Sequence, residues 1–140
     1  MDFVQDNHSR SAHGTLRGLH YQTEQTQGKL LRVSAGEVYD VAVDLRKSSP
    51  SYGQWLGVNL NAEKHNMLWI PQGFAHGFYV TSDYADFQYK CTDLYSPKDE
   101  IGFRWDDPDV GVQWPTRHPL LSARDTQSPL LRDLPREKLF

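Results

Sequence analysis

Several features are scarce in this chain of 140 residues. It holds one cysteine, Cys91, which excludes an internal disulfide framework and suits a reducing compartment. No run approaches the roughly 20 apolar residues needed to span a bilayer. The opening Met1-Asp2-Phe3-Val4-Gln5-Asp6 has neither a basic start nor an apolar core, so no signal peptide is expected and a cytoplasmic location is the default. Positive charge is not in surplus: a net charge of -3 and a pI near 6.0 argue against a nucleic-acid partner, and nothing points to a membrane. Helical periodicity is missing before Leu120, and there is no internal repeat or low-complexity segment. The chain reads as one domain, residues 1–140, long enough to bury a core.

Short alternating apolar runs are what the chain has in quantity. Strands are predicted at Phe3–Asn7, Leu16–Gln22, Lys29–Val33, Val38–Leu45, Gln54–Leu60, Asn66–Pro71, Phe78–Thr81 and Asp86–Thr92. Within Val38–Leu45 the residues Tyr39, Val41, Val43 and Leu45 share one face. His8–Ser11, Thr23–Gly28 and Arg46–Ser51 read as polar loops, and Ala35-Gly36-Glu37 as a turn. Short strands at regular spacing suggest a sandwich or barrel. Aromatic content of 12% with four tryptophans suits rings stacked inside such a fold or around a sugar-sized pocket. Leu120–Phe140 carries Pro129, Pro135 and many charges, which predicts at most short helical turns packed on the outside.

Three stretches hold side chains able to do chemistry. In Leu16–Gln22, period two places Leu16, Gly18, His20 and Gln22 on one face and Arg17, Leu19 and Tyr21 on the other. An imidazole beside small and polar residues suggests a cavity wall, and a hydrogen-bonded core histidine fits equally well. In Pro71–Phe78, proline and then glycine force a tight turn that presents His76 as the next strand begins. That spacing resembles the second motif of the cupin superfamily, in which the histidine is often a metal ligand. Metal-binding cupins also carry His-x-His followed by Glu, whereas here Tyr21 and Gln22 follow His20 and Glu24 stands alone. A zinc site would have to draw on His13, His20 and His76. In Tyr89–Tyr95, alternation aligns Tyr89, Cys91, Asp93 and Tyr95. A phenol in a pocket can act as a general acid, the alternative being a core ring with its hydroxyl satisfied. Nothing local lowers the pKa of Cys91, so it is not expected to be a nucleophile.

Longer segments are similar to successive motifs of the dTDP-4-dehydrorhamnose 3,5-epimerase family: Phe3–Ser9, Leu16–Gln22, Gln27-Gly28-Lys29, Gly36–Arg46, Trp69–Phe78, Tyr89–Asp93, Gly102–Pro108 and Leu121–Asp125. The resemblance runs in order through almost the whole chain. It implies an all-β, cupin-type jelly roll of the metal-independent branch, working without a cofactor as a homodimer on a dTDP-4-keto-6-deoxy-hexose. Such enzymes invert C3 and C5, both α to the C4 ketone. By resemblance His20 is the base, Asp125 the carboxylate that orients it, Tyr89 the acid on the opposite face and Lys29 the cation near the C4 oxygen. Gln5, Asp6, Asn7, Arg17, His76 and Glu100 hold the substrate, together with Arg124 at a position where the family usually has lysine. Members ordinarily carry strands ahead of the Phe3 motif that help bind the nucleotide sugar. By that measure the chain is shortened at its N-terminus, which implies intact acid–base groups with weaker substrate binding. The alternatives are a relative acting on one centre or moving the ketone, and a non-catalytic remnant that binds nucleotide sugar.

Overall fold

The alternation in Val38–Leu45 turns out to mark the centre of the molecule. The computed structural model describes residues 1–140. Nine strands follow one another: β1 (Gln5–Ala12), β2 (Leu16–Gln22), β3 (Lys29–Ala35), β4 (Glu37–Asp44), β5 (Trp55–Asn61), β6 (Met67–Ile70), β7 (Phe74–Val80), β8 (Tyr84–Cys91) and β9 (Glu100–Gly102). They build a four-stranded sheet in the order β1-β8-β3-β6 and a five-stranded sheet in the order β5-β4-β7-β2-β9. Every pairing between these strands is antiparallel, and early strands pair with late ones: Gln5 faces Cys91, and Leu16 faces Tyr79. This is the expected all-β jelly roll. Its crossovers bring side chains far apart in sequence to one place.

Strand β4 is buried on both faces. Val38 and Ala42 join Leu31, Val33, Phe78 and Phe87 in the core between the sheets. Val41, Val43 and Leu45 join Leu19, Tyr21, Phe103, Leu131 and Leu139 in a second core on the outer face of the five-stranded sheet, with Tyr39 packed against it. A sheet that is apolar on its outer face needs a cover, and the C-terminal segment supplies it. That segment forms the expected short helical turns: α1 (Ala123–Thr126) and 3-10 turns at Leu131–Asp133 and Arg136–Lys138. Burying Leu131 and Leu139 contributes about 3–6 kcal/mol together. The tail is also tied down by backbone bonds: Phe140 N–H donates to the Leu45 carbonyl (3.1 Å), and Lys47 N–H donates to the Phe140 carbonyl (2.6 Å).

Three elements differ from the sequence reading. Strand β1 runs on through His8–Ser11, which composition marks as a loop, and pairs with β8 from Gln5 to Ala12. It lies at a sheet edge and turns one face to water, so its polar residues pair across the ladder instead of forming a loop. Arg10 grips Asp86 (2.7 and 2.9 Å), and Lys90 meets Asp6 (2.8 Å). Strand β7 begins at Phe74, so His76 stands inside a strand rather than ahead of one. Strand β9 has three residues, too few for any periodicity to show.

Candidate active site

His20 reaches the cavity between the sheets because β2 is irregular. Plain alternation puts Arg17 and His20 on opposite faces. In the structure β2 pairs with β7 at Leu16–Tyr79 and Arg17–Phe78, then resumes at His20–His76. One extra residue on β2 reverses the phase of alternation, as a bulge does, so Arg17 and His20 line the same cavity. Gly18 makes this feasible. It has φ +126, and a Cβ there would sit 2.6 Å from the Gly77 Cα. On the other flank Gly102 faces His20, and a Cβ on it would come 2.9 Å from His20 Cδ2. The glycine leaves room for the ring.

The carboxylate partner comes from the C-terminal cover. His20 Nε2 is hydrogen-bonded to Asp125 Oδ1 at 2.5 Å. Asp125 lies in α1, whose N-cap Ser122 accepts the Asp125 N–H (3.1 Å), and Asp125 Oδ2 accepts the Gly18 N–H (3.3 Å). Burial by itself would raise the Asp125 pKa. The hydrogen bond and charge of His20, helped by the Gly18 N–H and Ser122, outweigh it and hold the carboxyl below its ordinary value. An ionised Asp125 assigns the ring proton to Nε2 and leaves Nδ1 free to act as a base. Nδ1 lies 3.8 Å from Glu100 Oε1. Arg124 holds Glu100, with Nη1 donating to Oε1 (2.6 Å) and Nη2 to the Glu100 carbonyl (3.2 Å).

Tyr89 and Lys29 belong to the facing sheet. Burial pushes the Tyr89 phenol up to about 12, with Cys91, Glu100 and Tyr95 adding to the rise and Arg17 opposing it. The phenol therefore stays protonated at neutral pH, as a proton donor must. Burial lowers the Lys29 pKa, and Cys91, Glu100 and Asp40 oppose the shift. Lys29 Nζ forms no ion pair, and it lies 5.7 Å from the centre of the Tyr89 ring. A half-buried ammonium without a partner is poised to meet negative charge that arrives with a ligand.

One cavity of about 520 Å³ gathers His20, Tyr89, Asp125, Lys29, Gln5, Asn7, Arg17, His76, Glu100 and Arg124. Asp6 is not among them. It alternates to the outer face of β1, where it is exposed and paired with Lys90. Cys91 is buried and accepts the Asn7 amide (3.7 Å), and Tyr95 lines the cavity rim. His13 lies away from the cavity against the Ser82 carbonyl (3.0 Å), so the three imidazoles considered for zinc do not converge. Sequence reasoning missed Asp40. Its Oδ2 is hydrogen-bonded to His76 Nε2 at 2.8 Å with both side chains buried, which makes a second histidine–carboxylate pair. The signal was present in Val38-Tyr39-Asp40-Val41-Ala42-Val43, because a charge inside an apolar strand needs a buried partner. Burial raises the Asp40 pKa, with His76 and Lys29 opposing.

A base and a phenol on opposite walls, with an unpaired cation beside the phenol, can remove a proton from carbon beside a carbonyl and return one to the other face. The comparisons with known proteins agree with that chemistry. A family model described as dTDP-4-dehydrorhamnose 3,5-epimerase matches residues 1–133. The chain belongs to this family. It is 56% identical over 134 residues to the dTDP-4-dehydrorhamnose 3,5-epimerase of Pseudomonas aeruginosa, covering 95% of this chain and 74% of that protein. With the Salmonella typhimurium enzyme of the same name it shares 57% identity over 131 residues, covering 92% and 72%. Among solved structures, the dTDP-6-deoxy-D-glucose-3,5-epimerase of Legionella pneumophila, in complex with dTDP-4-keto-L-rhamnose, superimposes with a TM-score of 0.96 at 55% identity. The match covers 99% of this chain and 74% of that one. The two-sheet fold described above is therefore the fold of the epimerase family. No helix in the structure is long and apolar enough to cross a membrane.

Proposed function

We propose that this enzyme inverts C3 and C5 of dTDP-4-dehydro-6-deoxy-D-glucose to form dTDP-4-dehydro-L-rhamnose, a step in dTDP-rhamnose biosynthesis. The observation that carries this reading is that one cavity holds the His20–Asp125 pair on one wall and Tyr89 on the other, with Lys29 unpaired beside Tyr89. Both carbons are acidified by the C4 ketone, so the proton transfers need no cofactor. His20 Nδ1 takes the proton, the C–H electron pair moves into the enolate, and the Lys29 ammonium meets the charge that develops on the C4 oxygen. Tyr89 then returns a proton from the far side. Asp125 keeps the imidazole in the required tautomer. Arg17 lines the cavity without an ion pair and offers a bidentate fork to the diphosphate. Gln5, Asn7 and His76 hold the sugar, and the Glu100–Arg124 pair closes the side nearest His20.

The remaining parts of the reading are a homodimer and a cytoplasmic location. Strand β1 ends the four-stranded sheet with one hydrogen-bonding side unpaired, which a second copy would satisfy. The single, buried Cys91 suits a reducing compartment. Sedimentation equilibrium decides the dimer, and a monomer at micromolar concentration would remove it. The activity itself is tested by incubating the dTDP-4-keto sugar in deuterated water. Label at both C3 and C5, with an L-configured product, is expected. Label at one carbon points to a single-centre relative, and label at neither refutes the enzyme reading.

A further inference from the structure

Each inversion puts a proton on His20 and takes one from Tyr89. No hydrogen bond in the structure joins these two side chains, which belong to different sheets. A cycle therefore ends with an imidazolium on one wall and a phenolate on the other. Two carbons require two such cycles, so protons must leave and re-enter through solvent. Beside the cavity lies a second chamber of about 20 Å³, which shares His20, Gln27, Lys29 and Glu100 with it and is bounded beyond them by Phe74 and Phe140. That exceeds the ~10–15 Å³ that one water molecule needs, and polar partners are in place. Glu100 Oε1 stands 3.8 Å from His20 Nδ1, beyond a direct hydrogen bond and within reach of one water. The charged or titratable groups around Glu100 are Arg124 from the C-terminal segment, His20 of β2, Lys29 of β3 and Tyr89 of β8.

We propose that Glu100, acting through one water in this chamber, is the outlet for the proton His20 removes from the sugar. The inference rests on the epimerase reading above. The Nδ1–H bond breaks with its electron pair staying on Nδ1. The water takes that proton while one of its own hydrogens moves to the Glu100 carboxylate. Glu100 releases this proton to solvent along the half-exposed Arg124 side, and solvent returns a proton to the Tyr89 oxygen. Glu100 is thus a relay rather than only a clamp on the substrate, and the ion pair with Arg124 fixes where it points.

Glu100→Gln keeps the size of the side chain and removes its ability to take a proton. Steady-state turnover in dilute, bulky buffer is expected to fall on the order of 100-fold, the low end of what a positioned proton carrier contributes. Small carriers such as imidazole or acetate are expected to restore at least about a tenth of it as their concentration rises, while the unaltered enzyme responds little. Glu100→Asp, which withdraws the carboxylate by one methylene, serves if the glutamine variant does not fold, and circular dichroism checks both. A loss that no small buffer restores, or a rise in KM with kcat kept, overturns the relay and leaves Glu100 as a substrate holder. Deuterium labelling by the unaltered enzyme is read separately. Its absence refutes the epimerase reading, and its presence without buffer rescue refutes the relay alone.

Discussion

Asp125→Asn exchanges one carboxylate oxygen for an NH₂ group and tests the central pair of the site. The bond lost is a 2.5 Å contact between a buried carboxylate and His20 Nε2. Hydrogen bonds to charged groups are worth about 1.5–3 kcal/mol. At about 1.36 kcal/mol per tenfold in rate, the upper figure corresponds to roughly 150-fold. The amide adds a second loss, because its NH₂ turned toward Nε2 would drive the ring proton onto Nδ1, the nitrogen that must be bare. The same replacement in the serine-protease triad lowers kcat by about 10⁴ through a wrong tautomer. A fall in kcat between about 10² and 10⁴ is therefore expected, with KM little changed, measured by NMR of deuterium entering C3 and C5. Stability should follow pH in a defined sense. The Asp125 pKa is depressed in the folded protein, so its contribution is present above the ordinary carboxyl value of 3.8 and is lost as pH falls through the folded value. The variant should unfold more easily than its parent at pH 7, and the gap should close in acid. A variant within tenfold of the parent kcat would refute the role given to Asp125.

Lys29→Met should lower kcat by about 10²–10³ through loss of the cation at the enolate. Because burial lowers the Lys29 pKa, the alkaline limb of kcat should fall below 10.5, and Lys29→Arg should move that limb upward; a limb that does not move speaks against Lys29. Tyr89→Phe should still exchange deuterium at carbon, since His20 is untouched, while inversion drops by about 10²–10⁴, read from the ratio of labelled substrate to labelled product. Asp44→Asn tests the fold away from the site. Burial would raise the Asp44 pKa, yet hydrogen bonds from Arg46, Ser51 and Ser49 hold it well below the usual range, so its stabilisation is present above that range and is lost in acid. The variant should lose about 1–3 kcal/mol in urea at pH 7, the gap should narrow as pH falls below 3.8, and equal urea midpoints at pH 7 would discard this account.

Much of the architecture was legible because half-buried strands write their faces into the sequence at period two. Tyr39, Val41, Val43 and Leu45 share a face as read, the last three within the second core and Tyr39 packed against it. The failures have physical causes. Strand β1 is polar because it is an edge strand, so His8–Ser11 carry no apolar signal. Period two assumes an unbroken ladder, and the extra residue between Arg17 and His20 breaks it, which is why the two were assigned to opposite faces. Ten of the eleven side chains assigned by resemblance line one cavity, and Asp6 misses it because it alternates outward between Gln5 and Asn7. Asp40 was overlooked because a resemblance names roles rather than partners; only a count of buried charges would have found it.

The cover over the five-stranded sheet also sets an order of events during synthesis. The base and its carboxylate are separated by 105 residues. At about 5–20 residues per second, a ribosome needs roughly 5–20 s after making His20 before Asp125 exists. Until then a growing chain holding both sheets has an imidazole with no tautomer control and an apolar sheet face open to water. The enzyme thus passes through a stage in which it is sticky and inert together. The same late segment ends both conditions, so competence to turn over substrate arrives with protection from aggregation.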